Sequence, residues 1–293
     1  MTKGFRLFAI CMIALAFATS SIVWAQTYTT VDYPGADDTS LNGGPNPQGA
    51  AVGSYDAPGI AHNGFVYYKG KFAPVNYPTA GPLGTVPLWI TTQGTVLGWY
   101  WDPAGAQHGF LLQSGQYTTV DFPGKAGTNL SGMSPSGEIV GEYSNDVAFN
   151  DFHSFVRSRT GQFTAFDPPG AVVSYAATIN PSGAIVGSYN TADNVSHGYL
   201  LYKGKFTTID FPGASGTYSG ANNPEGDIVG GYSDSSGMEH AYLLRNGVFT
   251  SFDFAGAIYT GATGINPDGT IVGAYIDAAG KIHGFIRTPR RER

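Results

Sequence analysis

The sequence predicts an all-β protein: a six-bladed β-propeller of four-stranded blades, closed when the N-terminal strand completes the last blade. Three observations carry this. One motif set recurs six times at spacings of 43 to 46 residues, each copy contains four strand-sized pieces, and the two ends of the repeat array are offset by one piece.

The first segment stands outside the array. Lys3 and Arg6 precede LFAICMIALAF (7–17), an apolar run too short for a stable membrane span, and Val23 and Ala25 suit cleavage before Gln26. Residues 1–25 therefore read as a signal peptide. Ile10 stands before Cys11, where a lipid-modified cysteine needs a small residue, so release into the periplasm or medium without a membrane anchor is expected. Cys11 is the sole cysteine, so a mature chain has no disulfide, thiolate metal site or cysteine nucleophile. Removing Lys3 and Arg6 leaves 13 basic against 21 acidic residues and takes the formal charge from −6 to −8. That balance argues against a nucleic-acid partner. The basic end RTPRRER reads as a solvated terminus, with the propeller spanning 26–287 and a tail 288–293.

Within the array, a strand ending in Asp-aromatic-Pro or a close variant recurs at Asp32, Asn76, Asp121, Asp167, Asp210 and Asp253. A Gly-x-Tyr element recurs at Tyr55, Tyr100, Tyr143, Tyr189, Tyr232 and Tyr275. In the last copy ATGIN (262–266) turns through PDG into TIVGAYID (270–277), then through AAG into KIHGFIR (281–287). One copy earlier, YLLRNGVFTSFDF (242–254) holds an Asn-Gly hairpin, a dipeptide suited to the positive φ angles of two-residue loops. The mature chain starts with YTTVDYP (28–34), a fourth piece without its first three, and ends on HGFIR, a third without its fourth. Pairing the two closes the ring and leaves no open edge. The alternative, an open solenoid, would need polar caps that neither end supplies.

The motifs HGF, HSF, HGY and HAY, preceded by INPSG and IVGSY, resemble the HAF repeats of extracellular bacterial proteins across nearly the whole mature chain. The resemblance implies export and a repeat-built β architecture, with no defined activity. The Pro-Glu-Pro sorting signal and membrane segment that end many members have no counterpart in RTPRRER.

All six histidines, His62, His108, His153, His197, His240 and His283, fall in register at the start of the third piece. One group per blade, placed toward the blade's outside, does not converge on a metal. They are expected to be structural, each bonded within its own blade, and no metal or cofactor is predicted. If buried and neutral, they would lower stability below about pH 6.

Function is sought where the copies differ. Trp89, Trp99 and Trp101 are all the tryptophans after residue 25. Trp89 falls on the innermost strand, where the other copies align Gly44, Gly132, Thr178, Ala221 and Gly264, while Trp99 and Trp101 alternate along one strand face. Tyr175, Tyr218 and Tyr259 precede three successive first strands. These six aromatics form the candidate ligand-binding set, with space-filling between blades as the competing role. The longer copy EYSNDVAFNDFHSF (142–155) offers Glu142, Asp146 and Asp151 as oxygen ligands at a spacing that matches no established calcium loop. No catalytic motif is present, and an enzyme using Glu142, Asp102 and His108 rests on no local signal. The leading expectation is a monomeric, secreted, non-enzymatic binding module that docks carbohydrate or protein on one propeller face. The alternatives are an extracellular polymer-degrading hydrolase or lyase and a structural cell-envelope protein.

Overall fold

The computed structural model describes residues 26–58 and 60–289, so the expected signal peptide 1–25, residue 59 and residues 290–293 lie outside the described residues. Among the described residues the regular elements are all strands. The first, β1 (Thr27–Val31), stands before five further groups. Four of these are separate antiparallel meanders. They comprise β2 (Asp38–Gly43), β3 (Ala51–Ala57), β4 (Ile60–Tyr68) and β5 (Lys71–Pro74); then β6 (Thr85–Ile90), β7 (Val96–Trp101), β8 (Gln107–Gln113) and β9 (Gln116–Thr119). Next come β10 (Gly127–Met133), β11 (Ile139–Ser144), β12 (Phe152–Arg157) and β13 (Phe163–Phe166). The fourth has β14 (Val173–Ile179), β15 (Ile185–Asn190), β16 (Ser196–Tyr202) and β17 (Lys205–Ile209).

The remaining strands form one eight-stranded sheet: β18 (Gly216–Asn222), β19 (Ile228–Ser233), β20 (Glu239–Arg245), β21 (Val248–Phe252), β22 (Tyr259–Ile265), β23 (Ile271–Ile276), β24 (Ile282–Thr288) and β1. The sequence predicts separate four-stranded units here. The structure joins them because the start of β22 lies beside the start of β20, where Glu239 and Tyr259 make the one parallel pairing between the halves. At the far end β1 pairs antiparallel with β24, from Thr27↔Thr288 to Val31↔Gly284, which is the partner the offset of the array calls for.

Local chemistry explains the turns. Lys69-Gly70, Ser114-Gly115, Lys203-Gly204 and Asn246-Gly247 each place two successive residues at positive φ, so the third and fourth strands close as tight hairpins. In the turns between first and second strands, Asn46, Asn180 and Asn223 use Oδ1 to accept from the turn's own backbone. Their Nδ2 groups reach the carbonyls of Thr91, Asn223 and Asn266 in the next unit, at 3.0, 3.1 and 3.3 Å. The recurrent Asn is thus both a turn former and a link between units.

The cores lie between neighbouring units. Val52 and Val75 pack with Val96, Tyr100 and Phe110, and the same interdigitation joins the ends of the chain, where Val31, Leu41 and Phe65 pack on Val272. Across that seam Thr263 Oγ1 donates to the Leu41 carbonyl at 2.8 Å and the Ile282 amide donates to Asp38 Oδ1 at 2.8 Å. In four copies the aromatic of the Asp-aromatic-Pro motif stacks on the tyrosine of Gly-x-Tyr, in Tyr33–Tyr55, Tyr77–Tyr100, Phe211–Tyr232 and Phe254–Tyr275, with centroids 3.7 to 3.8 Å apart. Phe122 meets Tyr143 tilted at 4.4 Å, and the fourth copy has Pro168 in the aromatic's place. Arg287 belongs to this packing and not to a solvated tail. It is buried in β24, with its guanidinium 4.3 Å from the Phe252 centroid and Nε donating to Gln26.

Candidate functional site at the channel mouth

Every first strand carries a β-bulge. The pairing with the second strand slips at Leu41/Gly43, Pro87/Trp89, Leu130/Gly132, Ala176/Thr178, Ser219/Ala221 and Ala262/Gly264. A bulge re-aims the residue it leaves unpaired. Here the six skipped residues, Asn42, Leu88, Ser131, Ala177, Gly220 and Thr263, line a single cavity together with Trp89, Glu142, Tyr175 and Tyr218. One residue from each unit thus builds the mouth of a central channel.

The next residue along each strand is Gly43, Trp89, Gly132, Thr178, Ala221 or Gly264. The strand register therefore places Gly43, not Gly44, opposite Trp89 in the repeat. Space there is short: a Cβ on Gly43 would stand 1.8 Å from the Leu88 carbonyl oxygen, and one on Gly264 only 1.7 Å from that of Gly44. Trp89 is the exception. It forms a wall of the mouth cavity and also of a second cavity among the Asn-Pro turns on the opposite side.

Glu142 occupies the middle position of its Gly-x-Tyr element, where the other copies carry Ser54, Trp99, Ser188, Gly231 and Ala274. It is buried in β11 and faces the mouth, accepting hydrogen bonds from Asn129 Nδ2 at 3.1 Å and Ser131 Oγ at 2.9 Å. Burial pushes its carboxyl up to about 7, against the opposing pull of those two neutral donors.

The candidate aromatics separate into two groups. Trp89, Tyr175 and Tyr218 meet in the mouth cavity. Tyr259 backs them: its hydroxyl lies 3.2 Å from that of Tyr218, and it starts β22 two residues earlier than Tyr175 and Tyr218 stand in their strands. All three tyrosines lie within strands and not in the preceding loops. Trp99 and Trp101 do share one face, with centroids 4.2 Å apart, yet they do not line the cavity, and Trp101 stacks on His62 at 5.5 Å.

The histidines pair with carboxylates across the outer hairpin. Nδ1 of His108, His153, His197, His240 and His283 lies 2.8 to 3.1 Å from Asp121, Asp167, Asp210, Asp253 and Asp32. In the last pair the aspartate comes from β1's end of the chain, so the pairing also ties the seam. His62 departs because Asn76 keeps only the acceptor that takes the Gly64 amide. The ring turns to Asp56 at 3.2 Å, and its φ is 47°. The expectation of buried imidazoles is corrected: their side chains are 12% to 40% exposed. At His240 burial lowers the pKa, but Asp253 and then Asp234 outweigh it and the net shift is upward.

The long β11–β12 loop does not assemble a cation site. Asp151 bonds Ser144, Asn145 and the Asp146 amide, whereas Glu142 points into the channel, and no group of metal-ligating side chains occurs among the described residues. Asp102 caps the β7–β8 turn beside His108 and does not line the cavity that Glu142 lines. The sequence groups Glu142 with Asp146 and Asp151, or with Asp102 and His108; in the structure its bonded partners are instead Asn129 and Ser131. The usable signal was an acid at a position that is small or apolar in the other five copies.

No family model and no curated protein matches this chain. Solved structures do. AofleA from Arthrobotrys oligospora is 15% identical with a TM-score of 0.58, covering 89% of this chain and 86% of its own. The fold is propeller-like. A mutant of the Aleuria aurantia lectin in complex with Fucα1-6GlcNAc aligns over 86% of this chain and 93% of its own, at 11% identity and a TM-score of 0.54. A gluconolactonase from Xanthomonas campestris aligns over 87% and 88%, also at 11% identity and 0.54. At such identities the likeness extends to the fold alone.

Proposed function

We propose that this is a secreted, non-enzymatic carbohydrate-binding module, a member of the HAF-repeat proteins, that holds its ligand in the channel mouth. In this reading the eight-stranded sheet is two blades bridged by the Glu239–Tyr259 pairing, which makes the propeller six-bladed. The observation that carries the function is the mouth cavity itself. Trp89, Tyr175 and Tyr218 line it together with the polar residues Asn42, Ser131 and Thr263. Sugars offer an apolar C–H face and a rim of hydroxyls, which such a wall matches.

The lectin and the lactonase among the structural neighbours keep binding and hydrolysis both in view. Glu142 is the one carboxylate among the residues that line the cavity, whereas cleavage of a glycosidic bond ordinarily uses two. That favours binding. The test is to incubate residues 26–293, which carry all the strands, with a panel of insoluble polysaccharides. Retention on one polysaccharide with no release of reducing ends is the expected result. Release of fragments would make it an enzyme, and absence of both would remove the carbohydrate reading.

A further inference from the structure

Glu142 is more than the mouth of a neutral sugar site requires. A buried carboxylate is costly unless a cation or several strong donors meet it. Its hydrogen-bond partners are Asn129 and Ser131, both neutral, and no cation contributes to its environment. The carboxylate nevertheless faces the cavity beside three aromatic rings. A carboxylate set among aromatic faces is the environment that an ammonium group prefers, through ion pairing and cation–π attraction together.

The charge of the whole strand edge points the same way. In antiparallel meanders, the starts of first and third strands and the ends of second and fourth strands share one edge. Glu142 and Tyr175 lie toward this edge from the bulges, as the registers Asn129↔Glu142 and Tyr175↔Ser188 show. Among the described residues the acids at the opposite edge are only Glu138, Glu225, Asp227 and Asp268, and the lysines at the near edge are only Lys125 and Lys281. The remaining acids, including the aspartates paired to histidine on the outer hairpins, lie at the near edge. Such a field concentrates cations at the opening.

We propose that the channel mouth takes a cationic amino sugar, with its ammonium against the Glu142 carboxylate and its ring on the wall of Trp89, Tyr175 and Tyr218. This rests on the carbohydrate reading and narrows it to sugars that carry a free amine. N-acetylation removes the charge and leaves the ring, so the amine and its acetylated form make a matched pair.

The test is isothermal titration of residues 26–293 at neutral pH with the tetrasaccharides of glucosamine and of N-acetylglucosamine. The glucosamine tetramer is expected to bind at least about tenfold tighter, and Glu142→Gln, which keeps an acceptor for Asn129, to erase that preference. The preference should survive about 0.5 M salt, where attraction to an exposed acidic face is screened. Equal affinity for both oligomers overturns the amine assignment and leaves the carbohydrate reading standing. So does a preference that vanishes in salt or that Glu142→Gln leaves intact. Failure of both oligomers to bind also overturns the assignment, and the broader reading falls with it if the polysaccharide panel is negative too. The comparison of the two oligomers on the unmodified protein stands even if the variant does not fold.

Discussion

Gly264→Ala is expected to destabilise the protein by about 3 kcal/mol or more and to lower its melting midpoint on the order of 5–10 °C. The added methyl would sit 1.7 Å from the Gly44 carbonyl oxygen, a backbone atom that no side-chain rotation can move away. Relief requires the first and last units to separate at the seam that Thr263 and Leu41 hold. Gly216→Ala is the matched control. Its Cβ would find its nearest neighbour at 3.7 Å, and a change within about 0.5 kcal/mol is expected there. Equal melting curves for the two variants would show that the channel axis is wider than described.

The second large effect concerns pH. Glu142 has its carboxyl raised from 4.5 to about 7 by burial, so the folded chain keeps a proton that the unfolded chain releases. Stability therefore falls as pH rises from about 4.5 to about 7 and levels off above, a loss on the order of 3 kcal/mol. Tyr175 and Tyr199, packed against Glu142 from β14 and β16, stay neutral throughout this window because burial holds both above the ordinary tyrosine range. His240 acts with the same sign at higher pH. Its raised pKa gives stability that is complete below 6.5 and lost as pH climbs through the folded value.

The aspartates set the acid limit. Asp234 is lowered to about 2, first by the Ser236 hydroxyl, and Asp151 to about 2, first by Ser144. What they contribute is present above 3.8 and is lost as pH falls toward their folded values. The melting midpoint should thus peak between about pH 4 and 5, the reverse of the decline below pH 6 that buried neutral histidines would give. Glu142→Gln should match the parent at pH 5 and exceed it at pH 8. A variant with the parent's full slope would show that Glu142 is not the buried acid responsible.

The architecture was legible because it repeats. Six copies of Asp-aromatic-Pro, Gly-x-Tyr and histidine fixed the order of strands, the Lys-Gly and Asn-Gly pairs marked the hairpins, and the one-piece offset called for β1 beside β24. The site was legible in part. Trp89 stood out as the large residue at a position that is otherwise small, and it lines the mouth cavity. The bulges left no trace in the residue pattern, since a slip of register changes which side chain turns inward without changing composition. The register likewise sets Tyr259 two residues farther from its bulge than Tyr175 and Tyr218 stand from theirs, a difference the sequence does not display. The histidine partners follow from the hairpin of third and fourth strands, which sets each histidine opposite the recurrent aspartate 13 or 14 residues later in four of the copies.

A ligand held in the mouth cavity would lie against Trp89. The most direct measurement is a fluorescence titration of residues 26–293 carrying Trp99→Phe and Trp101→Phe, which leaves Trp89 as the sole indole. Titration with the polysaccharide or oligomer that the panel retains should give a saturable change in Trp89 emission with one site per chain. Binding that proceeds at the parent's affinity while Trp89 emission stays constant would contradict it and place the ligand elsewhere on the protein.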